Sequence, residues 1–273
     1  MKHIVLYLGI AAALTASCSK PPVQDDTDPF IAFEDETFKA YCLSNFDKDG
    51  DGEISLEEAK EVKSIVLKKT TPFVPSITSL SGIESFTDLV YLDCSYNRLT
   101  SLDLSQNTAL EHLDCSCNPL ASLNVNKNTA LTRLYCYSTQ LTSLDVSDNA
   151  ALRWLYCDTN RLESLNVSGC TSLEWLYCHE NRLTRLDVGN FTALRELLCG
   201  FNQLTSLNVS GCTKLETMVC NDNRLTVLDV SGCPRLNGME CQNNPTLSEI
   251  WLKSGQKIPY LVYDESIATI KYI

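Results

Sequence analysis

Histidine and positive charge are scarce in this chain. Among 273 residues there are three histidines, and 22 lysines and arginines face 34 aspartates and glutamates, for a net charge of −12. That balance argues against nucleic acid or an anionic membrane surface as the main partner, so no nucleic-acid partner is expected. The chain has no C-x-x-C pair and no histidine cluster, which argues against zinc. It has no nucleophile motif, phosphate loop or metal triad either, so the expectation is that it is not an enzyme. Long apolar runs are also missing. Ile4 to Leu14 is 11 residues long, too short to span a bilayer but suited to the core of a signal peptide.

Small residues follow that run in "LTASC", ending at Cys18. This resembles a bacterial lipobox, with Thr15 in place of the usual leucine. The resemblance implies a signal peptide over 1–17, acylation of Cys18, and attachment to a membrane through that lipid. Residues 18–30, with "SKPPVQDDTDP", are polar and proline-bearing and read as a tether. Ser19 after the cysteine resembles an outer-membrane destination, so the mature chain is expected at the cell surface or otherwise outside the cytoplasm.

"DKDGDGEISLEE" matches the twelve-residue EF-hand loop. Asp47, Asp49 and Asp51 take positions 1, 3 and 5, and Gly52 makes the turn at position 6. Glu53 offers its carbonyl at 7, Ser55 acts at 9, and Glu58 supplies the bidentate carboxylate at 12. Calcium, a hard cation, needs six to eight converging oxygens, and alternate residues of a tight loop can provide them. Phe38, Tyr41, Cys42 and Phe46 recur at helical spacing before the loop, and Leu56, Ala59, Val62 and Val66 after it. The expectation is a helix–loop–helix cap over 31–68 with structural Ca2+.

Then a 21-residue period begins. Leu89, Leu110, Leu131, Leu152, Leu173, Leu194, Leu215 and Leu236 are in phase, and the fifth residue after each is always cysteine, from Cys94 to Cys241. The eighth is asparagine except at Thr139. This resembles the leucine-rich repeat, in the short class found in bacterial surface proteins, with internalins as more distant relatives. The resemblance implies an α/β repeat fold: a solenoid of parallel strands over 69–253, with a β cap over 254–273. Leucine and cysteine should stack on their own copies inside. Stacked cysteines have parallel Cβ vectors that suit disulfide torsions badly, so they read as small buried hydrophobes. Cys170, Cys212 and Cys233 should fill a corner of the coil, and Cys117 should be exposed and reactive.

The second half of each unit varies little. Its column Asp103, Asn124, Asp145, Asn166, Asp187, Asn208, Asp229 alternates acid and amide. Interleaved amides would relieve stacked carboxylates, and duplication of a two-unit block would produce the same alternation. The first half varies more. Arg133, Tyr135, Tyr137, Trp154, Tyr156, Asp158, Trp175, Tyr177, His179, Glu196 and Phe201 fall on neighbouring strands and their exits. Alternation turns Trp154 and Tyr156 away from the core. Aromatic surface rimmed by charge marks binding faces, and the expected partner is a protein or a glycan. Stacking between neighbouring strands is the structural alternative, as is a purely structural envelope protein.

Overall fold

The computed structural model describes residues 30–69 and 76–273. The signal segment, Cys18 and most of the tether lie outside the described residues. Helix α1 spans Glu36–Phe46, and the Asp35 carboxylate caps it by accepting from the Thr37 and Phe38 N–H groups. Its buried residues are Phe38 and Cys42, and Phe33 and Phe86 pack on the Phe38 ring. The other Asp35 oxygen accepts from the Thr78 N–H and hydroxyl, fastening the helix to the first coil.

The segment after the acidic loop departs from the expected second helix. Helix α2 is only Leu56–Lys60, with Ser55 and Glu58 forming a capping box. The chain then extends, and Ser64–Val66 pairs in parallel with Tyr91–Asp93. Val66 is therefore half exposed on a strand, and Ile65 takes the core position. Three-four spacing of β-branched residues fits either a helix or an alternating strand over so short a run, and the free edge of the neighbouring coil decides it. The cap thus supplies the first strand of the solenoid.

Beyond it, each 21-residue turn adds one strand. Ten parallel strands run from Ser64–Val66 to Tyr260–Val262 in one sheet. The second halves form shorter parallel ladders on the opposite wall: Ser143–Asp145 with Ser164–Asn166, Arg185–Asp187 with Ser206–Asn208, and Val227–Asp229 with Glu249–Leu252 and Thr269–Tyr272. The final residues form strands: Tyr260–Val262 and Thr269–Tyr272 continue both walls as one more coil. Leucines, valines and the eight-cysteine column fill the space between the walls and are buried. The thirteen described cysteines are free thiols.

The turns between walls are held by the asparagine column. Asn181 is typical: its Nδ2 donates to the carbonyls of Cys157 (3.0 Å) and Cys178 (3.2 Å), and its Oδ1 accepts from the Leu162 N–H at 2.9 Å. One buried amide thus ties backbone groups of two coils: the Leu162 N–H has it as partner, and the Cys157 and Cys178 carbonyls share it with Asn160 and Asn202. Thr139 shows what the amide contributes. The shorter hydroxyl does not reach Leu120, whose N–H bonds the Asn118 carbonyl instead.

A second corner uses the same device. Asn149 donates to the Val125 and Asn128 carbonyls, and one coil later the Cys170 thiol donates to those of Val146 and Asn149. The corner cysteines are thus weak donors as well as fillers. The residue before each asparagine is left-handed in every coil, from Tyr96 (φ 59) through Thr159 (φ 53) to Asn243 (φ 57). For β-branched Thr159 that conformation is strained.

Asn181→Ala should cost roughly 1–3 kcal/mol, since it orphans the buried Leu162 N–H while the Cys157 and Cys178 carbonyls keep Asn160 and Asn202 as donors. Thr159→Asn, which relieves a left-handed β-branched residue, should gain roughly 1 kcal/mol. Urea midpoints at unchanged m-value would check both, and a neutral Asn181→Ala would contradict the role given to the column.

Candidate functional site

The expected site residues fall into a strand face and a loop. On the strand face the middle residue of each strand points inward, so its neighbours form two outward columns. The rings in these columns are half-buried, not openly exposed as expected from alternation, because they cover one another. Trp154 and Trp175 stack at 4.9 Å with planes 4° apart. Tyr156 and Tyr177 stack at 4.2 Å and 3°, and Tyr135 extends that stack at 4.8 Å from Tyr156. In-register pairing sets these spacings by placing like residues side by side. Each such pair contributes about 0.5–1.5 kcal/mol beyond its area. The stacking named above as the structural alternative is thus present in these rings.

Charge borders the stacks. Arg133 lies over the Trp154 ring at 4.5 Å and Arg153 at 4.7 Å. Arg153 also pairs with Glu174, which Arg195 approaches at 3.5 Å, and Arg195 reaches Glu216 at 3.0 Å. These four form an ion ladder beside the tryptophans. Arg195 and Glu216 were not among the expected site residues, although their 21-residue spacing and alternating sign were visible. Tyr91 and His112, stacked at 4.5 Å, likewise lengthen the aromatic row, with His112 edge-on to Tyr135 at 5.2 Å.

On the other border, His179 Nε2 lies 3.8 Å from an Asp158 oxygen. Burial pushes the Asp158 carboxyl above its ordinary value, and the nearby imidazole only partly opposes this. Burial likewise raises the Tyr177 hydroxyl, and the Glu196 carboxylate beside it adds to the effect. Tyr137 and Phe201 do not join the stacks. Tyr137 is half-buried at the strand exit, and Phe201 is 54% exposed in the left-handed turn with φ 52. The turn geometry takes Phe201 out of the strand plane, which single-sequence spacing did not reveal. Cys117 departs from expectation as well. It is half-buried at φ 55, and burial raises its thiol pKa, the direction opposite to activation.

In the acidic loop, carboxylate oxygens of Asp47, Asp49 and Glu58 lie within 4.8 Å of one another. Asp47 accepts from the Gly50 and Gly52 N–H groups, and Gly52 turns at φ 88. Slight burial acts to raise the Glu58 carboxyl. Hydrogen bonds from the Ser55 and Lys48 N–H groups and the Ser55 hydroxyl outweigh it and hold the group below its usual range. Asp51 is turned to the Glu53 N–H, Ser55 caps α2, and the Glu53 side chain pairs with Lys39 at 3.2 Å. Ile54 is fully buried, and its carbonyl accepts from the Ile31 N–H at 2.9 Å, which ties the loop to the chain before α1.

A family described as Leucine Rich repeats (2 copies) matches residues 87–128. Over 76 residues the chain is 38% identical to Internalin J of Listeria monocytogenes, a stretch covering 28% of this chain and 8% of that protein. The solved functional domain of InlJ from Listeria monocytogenes superposes with a TM-score of 0.63 at 30% identity, over 85% of this chain and 60% of that one. The chain has the leucine-rich repeat solenoid fold. It is similar to internalins, though it spans less than two thirds of these relatives' lengths. Internalin C2 from the same organism (TM-score 0.55, 21% identity, 88% of this chain and 94% of that one) shares the fold. So does YopM of Yersinia pestis (TM-score 0.57, 20% identity, 84% and 63%). The InlJ domain is described as including a cysteine ladder, and the buried cysteine column is the like feature of this chain. Among the described residues, no helix is long and apolar enough to cross a membrane.

The strand face also holds a buried acid. Burial raises the Asp114 carboxyl, hydrogen bonds from Ser116 oppose this, the like charge of Asp93 adds to it, and Lys68 offsets part. A carboxyl raised in the folded state binds more protons there than when unfolded. Stability is thus lost as pH climbs from the ordinary carboxylate value through the raised one. Asp114→Asn keeps an acceptor for the Ser116 N–H. It should be more stable than wild type at about pH 7, and the difference should shrink toward zero at about pH 2, well below the ordinary carboxylate value of about 3.9, where the carboxyl is protonated in both states. Urea unfolding at the two pH values checks the sign.

Proposed function

We propose that this protein is a lipid-anchored, extracytoplasmic binding module whose strand face recognises a protein. The observation that carries this reading is the paired stack of Trp154–Trp175 and Tyr135–Tyr156–Tyr177 set between the Arg153–Glu174–Arg195–Glu216 ladder and the Asp158–His179 pair. Rigid rings bordered by paired charges are the composition of protein hot spots. A sugar would lie flat on an open ring face, whereas here the faces are largely taken by neighbouring rings and by Arg133, leaving edges and hydroxyls outward. Solenoids use such extended faces for binding. Attachment through Cys18 and an outer-membrane or surface location belong to the same proposal and rest on the lipobox-like start.

We also propose that the front loop holds calcium as a structural clamp. Asp47, Asp49 and Glu58 already converge, and Asp51, the Glu53 carbonyl and Ser55 lie within the same twelve-residue loop. The clamp would join α1 to α2 and so brace the first strand.

Replacing Trp154, Tyr156 and Trp175 together by Ser should abolish capture of a partner from cell-surface extracts while the far-ultraviolet circular dichroism stays native. Capture at wild-type level would remove the face from consideration. Calcium should raise stability by about 2.7 kcal/mol at a hundredfold its dissociation constant. Asp47→Ala with Glu58→Ala should abolish that gain. Thermal melts with calcium and with chelator decide it, and coincident wild-type melts would refute the clamp.

A further inference from the structure

One end of the tryptophan stack is closed by a cation, and the other is not. In strand register Arg133, Trp154, Trp175 and Glu196 stand side by side. Arg133 covers Trp154 on one side and Trp175 covers it on the other. The outer face of Trp175 therefore looks toward Glu196 and, one strand on, Thr217. With Glu174, Arg195 and Glu216 these residues line an open cleft of about 460 Å³, within the size range of small-ligand sites.

The groups around this cleft lack a cation in one place. Arg195 is held away from the ring by Glu174 and Glu216. No lysine or arginine among the described residues pairs with Glu196, whose contact is the Tyr177 hydroxyl. A ring face and a carboxylate without a cationic partner thus meet in a space open to solvent, where the register at the other end of the same stack holds a guanidinium.

We propose that this cleft receives an arginine or lysine side chain of a protein partner, its cation stacked on Trp175 and paired with Glu196. The inference rests on the protein-binding reading of the strand face and specifies the partner's chemistry. The guest would mirror Arg133 on Trp154. A planar guanidinium can lie on an indole and hydrogen-bond a carboxylate at once, and a ring with a negative face attracts either cation. The chain's net charge of −12 would draw a basic segment toward the face before contact.

The test uses the mature chain and three tripeptides, acetyl-Gly-Arg-Gly-amide, its lysine counterpart, and its citrulline counterpart, which keeps the shape without the charge. The readout is the indole N–H resonance of Trp175, assigned by its loss in Trp175→Phe. The arginine peptide should shift it saturably and the citrulline peptide at least tenfold more weakly. Glu196→Gln should weaken the arginine peptide at least fivefold while the melting temperature holds. Equal binding of citrulline, indifference to Glu196→Gln, or a shift produced by a neutral oligosaccharide in place of the cations would overturn the proposal. Partner capture separates the two readings. Capture lost in the triple serine variant yet intact in Glu196→Gln would overturn the cation site and leave the binding face standing. Capture intact in both would overturn the two together.

Discussion

Everything in this molecule depends on pairing the backbone where the coil turns. A 21-residue turn is too short to carry a helix between its walls, so the corners must run as irregular chain beside a dry interior. Each unpaired amide there would cost about as much as a buried leucine contributes. The asparagine column resolves this by placing one amide per turn where it bonds carbonyls of its own coil and of the one before it, and an N–H of the earlier coil. Because each bond set spans two coils, neighbouring turns are locked in register, and every other ladder inherits that register.

The outward columns show the consequence. Once strands are in register, a residue repeated every 21 positions lies directly beside its copy. Tryptophan meets tryptophan and tyrosine meets tyrosine at stacking distance, and charges of alternating sign fall into a ladder. Asn166 and Asn208 donate to the carboxylates of Asp145 and Asp187 on the opposite wall, as the acid–amide alternation implied. The strand face is stiff for the same reason: its rings hold one another before any partner arrives, which lowers the ordering cost of binding.

The two ends follow a common rule. A parallel coil exposes an unpaired edge, and something must meet it. At the front, the helical unit contributes Ser64–Val66 itself and packs Phe38 against Phe86 of the first coil. At the back, the chain adds a further coil with exposed Tyr260 and Tyr272.

The architecture was legible in the amino-acid sequence because repetition multiplies weak signals. Eight leucines, eight cysteines and seven asparagines in phase specify strand, core and corner. The loop at Asp47–Glu58 was legible because its motif is local. Three things were decided only by tertiary structure. Val66 became a strand residue because a neighbouring edge was free. The aromatic rings became half-buried because their copies cover them. Phe201 left the face because the asparagine-held corner forces the preceding residue into a left-handed turn. Each is a contact between residues far apart in the chain. A period read along the sequence says which residues are neighbours, but how far a neighbour shields a ring or redirects a side chain depends on packing in three dimensions.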